Sequence, residues 1–310
     1  MWRVFFFTKL MRYTKPPLTF TQQAQRLIAR GLIVSDQNLL LDRLSAVSYY
    51  RLSAYWHPFK QLDETFQPGT TFETVWRRYT FDRQLRLLVM DAVERIEVTI
   101  LRTLMVEQFA LKYGAFGYLD KANFSPSFPN DEYTRLLAEI AATTKRSREV
   151  FVEHFFQKYT HESHLPLWMA VEIMSFGQLL TFFRHLNHAE KKSLAHRFDL
   201  HPPVLESWLH TLNYIRNLCA HHARLWNREL AIRPKIPEKR HLLAWHQPVK
   251  VENARIFAVL TLCRFLLQEI APQSEWQTRL VALLNKYPDI PLVSMGFPRR
   301  WEESPIWINT

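Results

Sequence analysis

The sequence predicts an all-α protein. Six glycines in 310 residues are too few for a many-turned β protein or a glycine-rich nucleotide fold, against roughly 7% in average chains. Apolar residues recur every three or four positions over long stretches, and no series of alternating strands is present. Hydrophobic residues are 47% and charged residues 22%, which suits a packed core rather than a disordered chain. The expected architecture is a helical bundle with an N-terminal helical appendage and an irregular C-terminal tail. Met11 offers a second candidate start, so residues 1–14 read as an upstream extension. Residues 15–65 then form the appendage and 66–310 the main helical domain.

The elements follow in order. Thr19 with Gln22 makes a capping box, and Gly31 makes a C-terminal stop, so the two bracket a first helix. Asn38–Leu44 is the second. Ser48–Trp56, Ser-Tyr-Tyr-Arg-Leu-Ser-Ala-Tyr-Trp, is an aromatic segment read as core packing rather than a base-stacking platform. From Phe72 to about Gln108 there is no Gly or Pro. Leu85, Leu88, Val89, Ala92, Val93, Ile96 and Ile100 mark the buried stripe of one long helix, with Asp91, Arg95 and Arg102 as a solvated ion-pair stripe. Gly114, Gly117, Pro126 and Pro129 make 113–129 a loop. Helices are expected at 131–142 and 147–159.

Leu165–Phe183 is the longest apolar stretch, and Pro166 suits its first turn. It contains Glu172, Ser175, Gly177 and Gln178, whereas a membrane span needs about 20 apolar residues, so it reads as one buried helix. Another helix is expected at 189–198. Pro202-Pro203 opens the next, from Val204 to about Asn227. Residues 229–249 are Pro-containing, basic and without period, and read as a linker. Helices at 251–270 and 274–286 precede a Pro- and Trp-rich tail that packs as irregular coil.

The net charge of +11 and a pI near 9.7 attract polyanions, chiefly nucleic acid or an anionic membrane surface. The two cysteines, Cys219 and Cys263, leave no disulfide framework or four-Cys zinc site and fit a reducing cytoplasm. The first ten residues hold only a three-Phe patch, too short for a signal peptide. The expectation is a cytoplasmic protein with no membrane partner, no cofactor and no metal.

The candidate chemistry lies in Leu212-Asn-Tyr-Ile-Arg-Asn-Leu-Cys-Ala-His-His-Ala-Arg-Leu-Trp-Asn-Arg228. On a wheel of about 100° per residue, Asn213, Arg216, Asn217, His221, Arg224, Asn227 and Arg228 share one side. The other side is apolar and includes His222, which is expected to be buried and satisfied. Asn amides compete with the helical backbone, so three Asn beside three Arg are costly on a purely structural face. An ordinary solvated face carries Glu and Lys instead. This arc suits an anion.

Metal-free RNA cleavage needs a base for the 2′-OH, an acid for the leaving 5′-oxygen and a cation on the phosphate. Arg216 is the candidate cation, since arginine binds phosphate oxygens in bidentate fashion. His221 is the candidate proton-transfer group, because histidine titrates near neutrality. Asn217 sits one turn before His221 and is the candidate for fixing its tautomer. Asn213, Arg224, Asn227, Arg228 and Lys235 are candidates for holding the RNA backbone. Glu172 is expected to pair with an internal Arg, and with His222 is a candidate orienting residue.

Four pairs match Arg-(x)4–6-His: Arg51/His57, Arg148/His154, Arg216/His221 and Arg240/His246. That is about what chance supplies, so spacing alone selects none. Asn217 and the polar arc single out Arg216/His221, and Arg216-Asn-(x)3-His is similar to the motif of HEPN ribonucleases. The string Arg216-Asn-Leu-Cys-Ala-His-His-Ala-Arg-Leu-Trp-Asn227 resembles the Abi (abortive infection) family. So do Ser48–Trp56, Phe81-Asp-Arg-Gln-Leu-Arg86 with Val93-Glu-Arg-Ile-Glu97, Pro166–Gly177, and Met295-Gly-Phe-Pro298 with Trp301. On these strings the resemblance covers nearly the whole chain from Lys15.

The resemblance implies a HEPN-like helical bundle and a homodimer whose motif helices face each other to form a composite site. It also implies a place in anti-phage defence and, as in some members, a small structured non-coding RNA as partner. On this reading the chain is a metal-independent endoribonuclease leaving 2′,3′-cyclic phosphate and 5′-OH ends. The alternative is a non-catalytic RNA-binding protein, its track extended by Arg228, Arg233, Lys235, Lys239 and Arg240. A metal site at His210, Cys219, His221 and His222 is a third reading, but the segment has no His-(x)3-His or Cys-(x)2-Cys pair.

Overall fold

The computed structural model describes residues 13–308, so most of the expected upstream extension lies outside the described residues. The fold is all-α. Among the described residues there are helices and short 3-10 turns, no strand, and two isolated bridges, Ile33 with Thr71 and Lys60 with Phe66. The chain divides into two compact units, the first ending at Thr80 and the second beginning at Phe81.

In the first unit α1 spans Phe20–Ala29 and begins on the Thr19/Gln22 capping box. It ends as predicted at Gly31, whose φ of 92° lets the chain reverse. The Gly31 and Leu32 amides bond back to Ile28 and Leu27, which closes a Schellman turn. The α2 helix (Gln37–Val47) is capped by the Asp36 carboxylate on the Leu39 amide. The α3 helix (Tyr49–Trp56) follows at once. Leu52, Tyr55 and Trp56 are buried, as core packing requires, while Tyr50 is exposed.

The α4 helix (Phe72–Ile96) runs without a break into a π-helical stretch, Glu97–Leu104, and then α5, Met105–Tyr113. The expected single α-helix therefore contains a change of register. The buried stripe Leu85, Val89, Val93, Ile96, Ile100 keeps α spacing, and then continues at Met105 and Phe109. The step from Ile100 to Met105 is the wider turn of a π-helix. Glu97 and Arg102, five residues apart, pair at 2.6 Å across that turn. Arg102 also donates to the carbonyls of Val171 and Met174.

Residues 114–129 are a loop with two 3-10 turns, followed by α6 (Asn130–Arg146) and α7 (Val150–Lys158). The stretch expected as one buried helix is two, α8 (Leu167–Ile173) and α9 (Phe176–Arg184). Ser175 and Gln178 form a capping box that starts the second. Then come α10 (His188–His196) and α11 (Pro202–Ala220), with proline at the first helical positions, where no amide is needed.

The expected linker at 229–249 is instead packed coil of the second unit. Leu230, Trp245 and Val249 are buried, and the Trp208 and Trp245 rings lie 5.0 Å apart. The α12 helix (Ile256–Ile270) is buried on nearly all sides, and α13 (Trp276–Lys286) follows. The tail packs by its tryptophans: Trp301 and Trp307 lie against Phe257, with Phe297 between. No helix among the described residues is long and apolar enough to cross a membrane.

Candidate functional site

The site is built at the C-terminal end of α11. Leu205, Trp208, Leu209, Leu212, Ile215 and Cys219 bury one face of this helix. The opposite face leaves Asn213 and Arg216 half-buried and Asn217 exposed. Arg216 Nη1 lies 3.4 Å from Asn217 Oδ1, and the Asn217 carbonyl accepts the His221 amide at 3.0 Å. Asn217 thus meets Arg216 through its side chain and His221 through its main chain.

The helix stops at Ala220, with His221 as its C-cap, and does not run to Asn227. His222 adopts a left-handed conformation with φ of 56°. The amides of His222 and Ala223 bond back to Cys219 and Leu218 at 2.9 Å, a Schellman turn made without glycine. The single seven-residue arc drawn on the wheel is therefore corrected. Asn213, Arg216 and Asn217 come from the helix, His221 from its cap, and Arg224, Asn227 and Arg228 from the loop after it.

A carboxylate from α4 explains the stop. Asp82, fully buried, accepts the Leu225 amide at 3.0 Å and the Trp226 amide at 2.6 Å. In a continued helix these two amides would bond to the carbonyls of His221 and His222. Asp82 takes them instead. Its charge is balanced by Arg86, one turn along α4, whose guanidinium also lies 3.5 Å from the Ala223 carbonyl. A buried carboxylate is tolerated where it is paired and hydrogen-bonded in this way.

The far end of the loop is held by Arg255, the N-cap residue of α12. Asn227, at φ 47°, accepts from Arg255 at 3.1 Å, and Arg255 also donates to the Ser294 carbonyl. Gly296 lies so close to Arg255 that a Cβ there would meet it at 2.8 Å. Arg228 Nε donates to the Arg224 carbonyl at 2.7 Å. Three strings noted in the sequence, Phe81–Arg86, Arg216–Asn227 and Met295–Pro298, thus converge on one turn.

Other expectations are corrected. His222 is exposed, not buried, because the left-handed turn takes it off the apolar face. Glu172 is exposed on α8, and the nearby internal arginine, Arg102, pairs with Glu97. Lys235 is placed beside Ser207 and Trp208, which bond to its amide and carbonyl, about 12 Å up the helix axis from Arg216. Asp82 and Arg86 were missed as site residues; their signal is an acid and a base one turn apart within the apolar stripe of α4.

Burial pushes the Cys219 thiol up to about 12, so it stays protonated at neutral pH. Among the described residues no group of three or more His, Cys, Asp or Glu is gathered to hold a metal ion.

Fold and site together define an all-helical protein that presents Arg216 and His221 at a helix end, locked by a buried Asp–Arg pair. The chain belongs to the Abi-like protein family, whose model matches residues 42–227. The match ends on Asn227, at the end of the Asp82-bound loop. No curated protein and no solved structure matches the chain. The family suggests a role in abortive infection.

Proposed function

We propose that the protein is a metal-independent endoribonuclease of HEPN type acting in abortive infection in the cytoplasm. The observation that carries this reading is the placement of Arg216 and His221. His221 is exposed at the end of a buried helix, and the turn that holds it is fixed by Asp82 rather than by the histidine itself. A rigid frame with accessible polar groups is what acid–base work requires.

In the mechanism, two protomers face each other across their α11 ends. One His221 imidazole accepts the 2′-OH proton as O2′ attacks phosphorus. Arg216 holds the non-bridging oxygens as charge builds on them. The imidazolium of the second protomer's His221 donates its proton to the leaving 5′-oxygen. The P–O5′ bond breaks, leaving a 2′,3′-cyclic phosphate and a 5′-OH. Asn217 positions Arg216 through its amide, and Arg224 and Arg228 bind flanking phosphates. A small structured RNA is the partner proposed to hold or direct the enzyme.

The test is cleavage of labelled total RNA in EDTA by wild type, Arg216→Ala and His221→Ala, all with native unfolding transitions. The expected result is EDTA-resistant cutting that falls at least about 100-fold in each variant. Absence of cutting by wild type, with salt-sensitive RNA binding retained, would overturn catalysis in favour of a binding module.

A further inference from the structure

A second charged feature lies toward the other end of α11. A cleft of about 900 Å³ opens between α10, the first turn of α11 and residues 235–241. A smaller cavity of about 330 Å³ adjoins it and shares His188, Pro202, Pro203 and Lys235. The larger cleft is lined by Lys192, His196, His201, Lys235, Arg240 and His241, among others.

The acids around it are already engaged. Glu206 meets Lys191 at 3.4 Å and Arg184 at 3.9 Å, Glu238 meets Arg240 at 2.6 Å, and Asp199 meets His241 at 3.5 Å. Lys192 and Lys235 make no ion pair among the described residues. Lys192 and Lys235 therefore line one opening beside His188, His196 and His201, and its own carboxylate, Glu238, is held by Arg240.

The floor suits a nucleotide chain. Leu200, Val204 and Ile236 with the two prolines give apolar surface. The His201 and His241 rings line the cleft with centroids 4.6 Å apart and planes tilted by 35°, aromatic surface against which a base can stack. Pro202 and Pro203 lack amide protons, so the helix terminus offers no donor there and the anion must be held by side chains.

The wall is preformed. The Lys235 amide donates to Ser207 Oγ at 2.9 Å and its carbonyl accepts from Trp208 at 2.8 Å. His246 and Asn253 bond the carbonyls of Pro237 and Pro234. A preordered wall saves the entropy of ordering on binding.

We infer that this cleft is an anchoring site for a single strand of RNA, separate from the Arg216–His221 end. The inference rests on the proposal that the protein acts on RNA, and names where a longer substrate is held. The two ends of α11 are about 28 Å apart at 1.5 Å per residue. At about 3.4 Å per stacked nucleotide, a strand of roughly eight nucleotides joins them.

The experiment is fluorescence anisotropy of a 5′-labelled 16-nucleotide oligouridylate across a salt series. Wild type and Lys192→Gln/Lys235→Gln are compared, each checked for its unfolding transition. The cleft variant is expected to bind about tenfold more weakly, with the log–log salt slope reduced by about 1.4 for two lost cations. Equal affinity and slope in wild type and the cleft variant would overturn the inference and leave the nuclease proposal standing. Cleft-dependent binding without any cleavage by wild type would support the inference and overturn the nuclease. An RNA that no form binds would overturn both.

Discussion

Asp82 Oδ1 accepts the main-chain amide of Trp226 at 2.6 Å, from a position 144 residues earlier in the chain. The same carboxylate takes the Leu225 amide and pairs with Arg86. Asp82→Ala leaves a buried guanidinium and two amides without their acceptor. The expected cost is about 3–5 kcal/mol, read by urea unfolding. Adding Arg86→Leu should recover part of it, since no buried charge is then stranded. Cys219, unreactive in the native fold because burial raises its thiol, should alkylate faster in the single variant.

His222 occupies a left-handed position that glycine fills without steric cost. His222→Gly and His222→Ala both lose the imidazole, so their difference isolates the backbone. The glycine variant should be the more stable by about 1 kcal/mol, measured as a shift of the denaturation midpoint at unchanged slope.

Gly296 combines a φ of 88° with a 2.8 Å approach to Arg255. Gly296→Ala should cost about 2–3 kcal/mol. Because Arg255 also holds Asn227, the variant should lose RNA cleavage at temperatures where it remains folded. Activity measured beside circular dichroism at the same temperatures separates the two effects.

His185 stacks on Phe128 at 3.7 Å and faces Glu132, Arg184 and Lys191. Burial outweighs the Glu132 carboxylate and lowers its pKa below the ordinary 6.5. The unfolded chain therefore takes up a proton first as pH falls. The stability this ring contributes is complete above about pH 6.5 and is lost as pH drops through the folded value. The thermal midpoint should fall between pH 7 and pH 5, and His185→Gln should flatten that dependence.

The sequence made much of this fold legible, because its signals are local. Thr19 with Gln22 and Gly31 state the ends of α1 within a dozen positions. Ser175 with Gln178 carries an equally local cap, but the apolar pattern continues on both sides and hides the break. The end of α11 has no local marker, since neither Gly nor Pro follows Ala220 for several residues. Its stop is made by Asp82, brought in by the tertiary fold, and helical periodicity therefore carried the polar arc past the true terminus. Arg216, Asn217 and His221 could be read from their string alone. Asp82 and Arg86 could be quoted as part of a motif, yet their role needed the loop they bind. Residues 229–249 looked like a linker because coil packed by Trp245 and Leu230 has no period to recognise.

The π-helical stretch at Glu97–Leu104 makes the long helix behave as a spliced shaft. One wider turn absorbs about an extra residue without a loop, and the helices on its two sides keep separate rotational settings. The portion that carries Asp82 and Arg86 is keyed to the α11 terminus, whereas Arg102 within the splice is keyed to the break between α8 and α9. Removing one residue from the splice would turn α5 by about 100° against α4. Neither set of partners could then be met without giving up the other, so the irregular turn lets one rod serve two docking geometries.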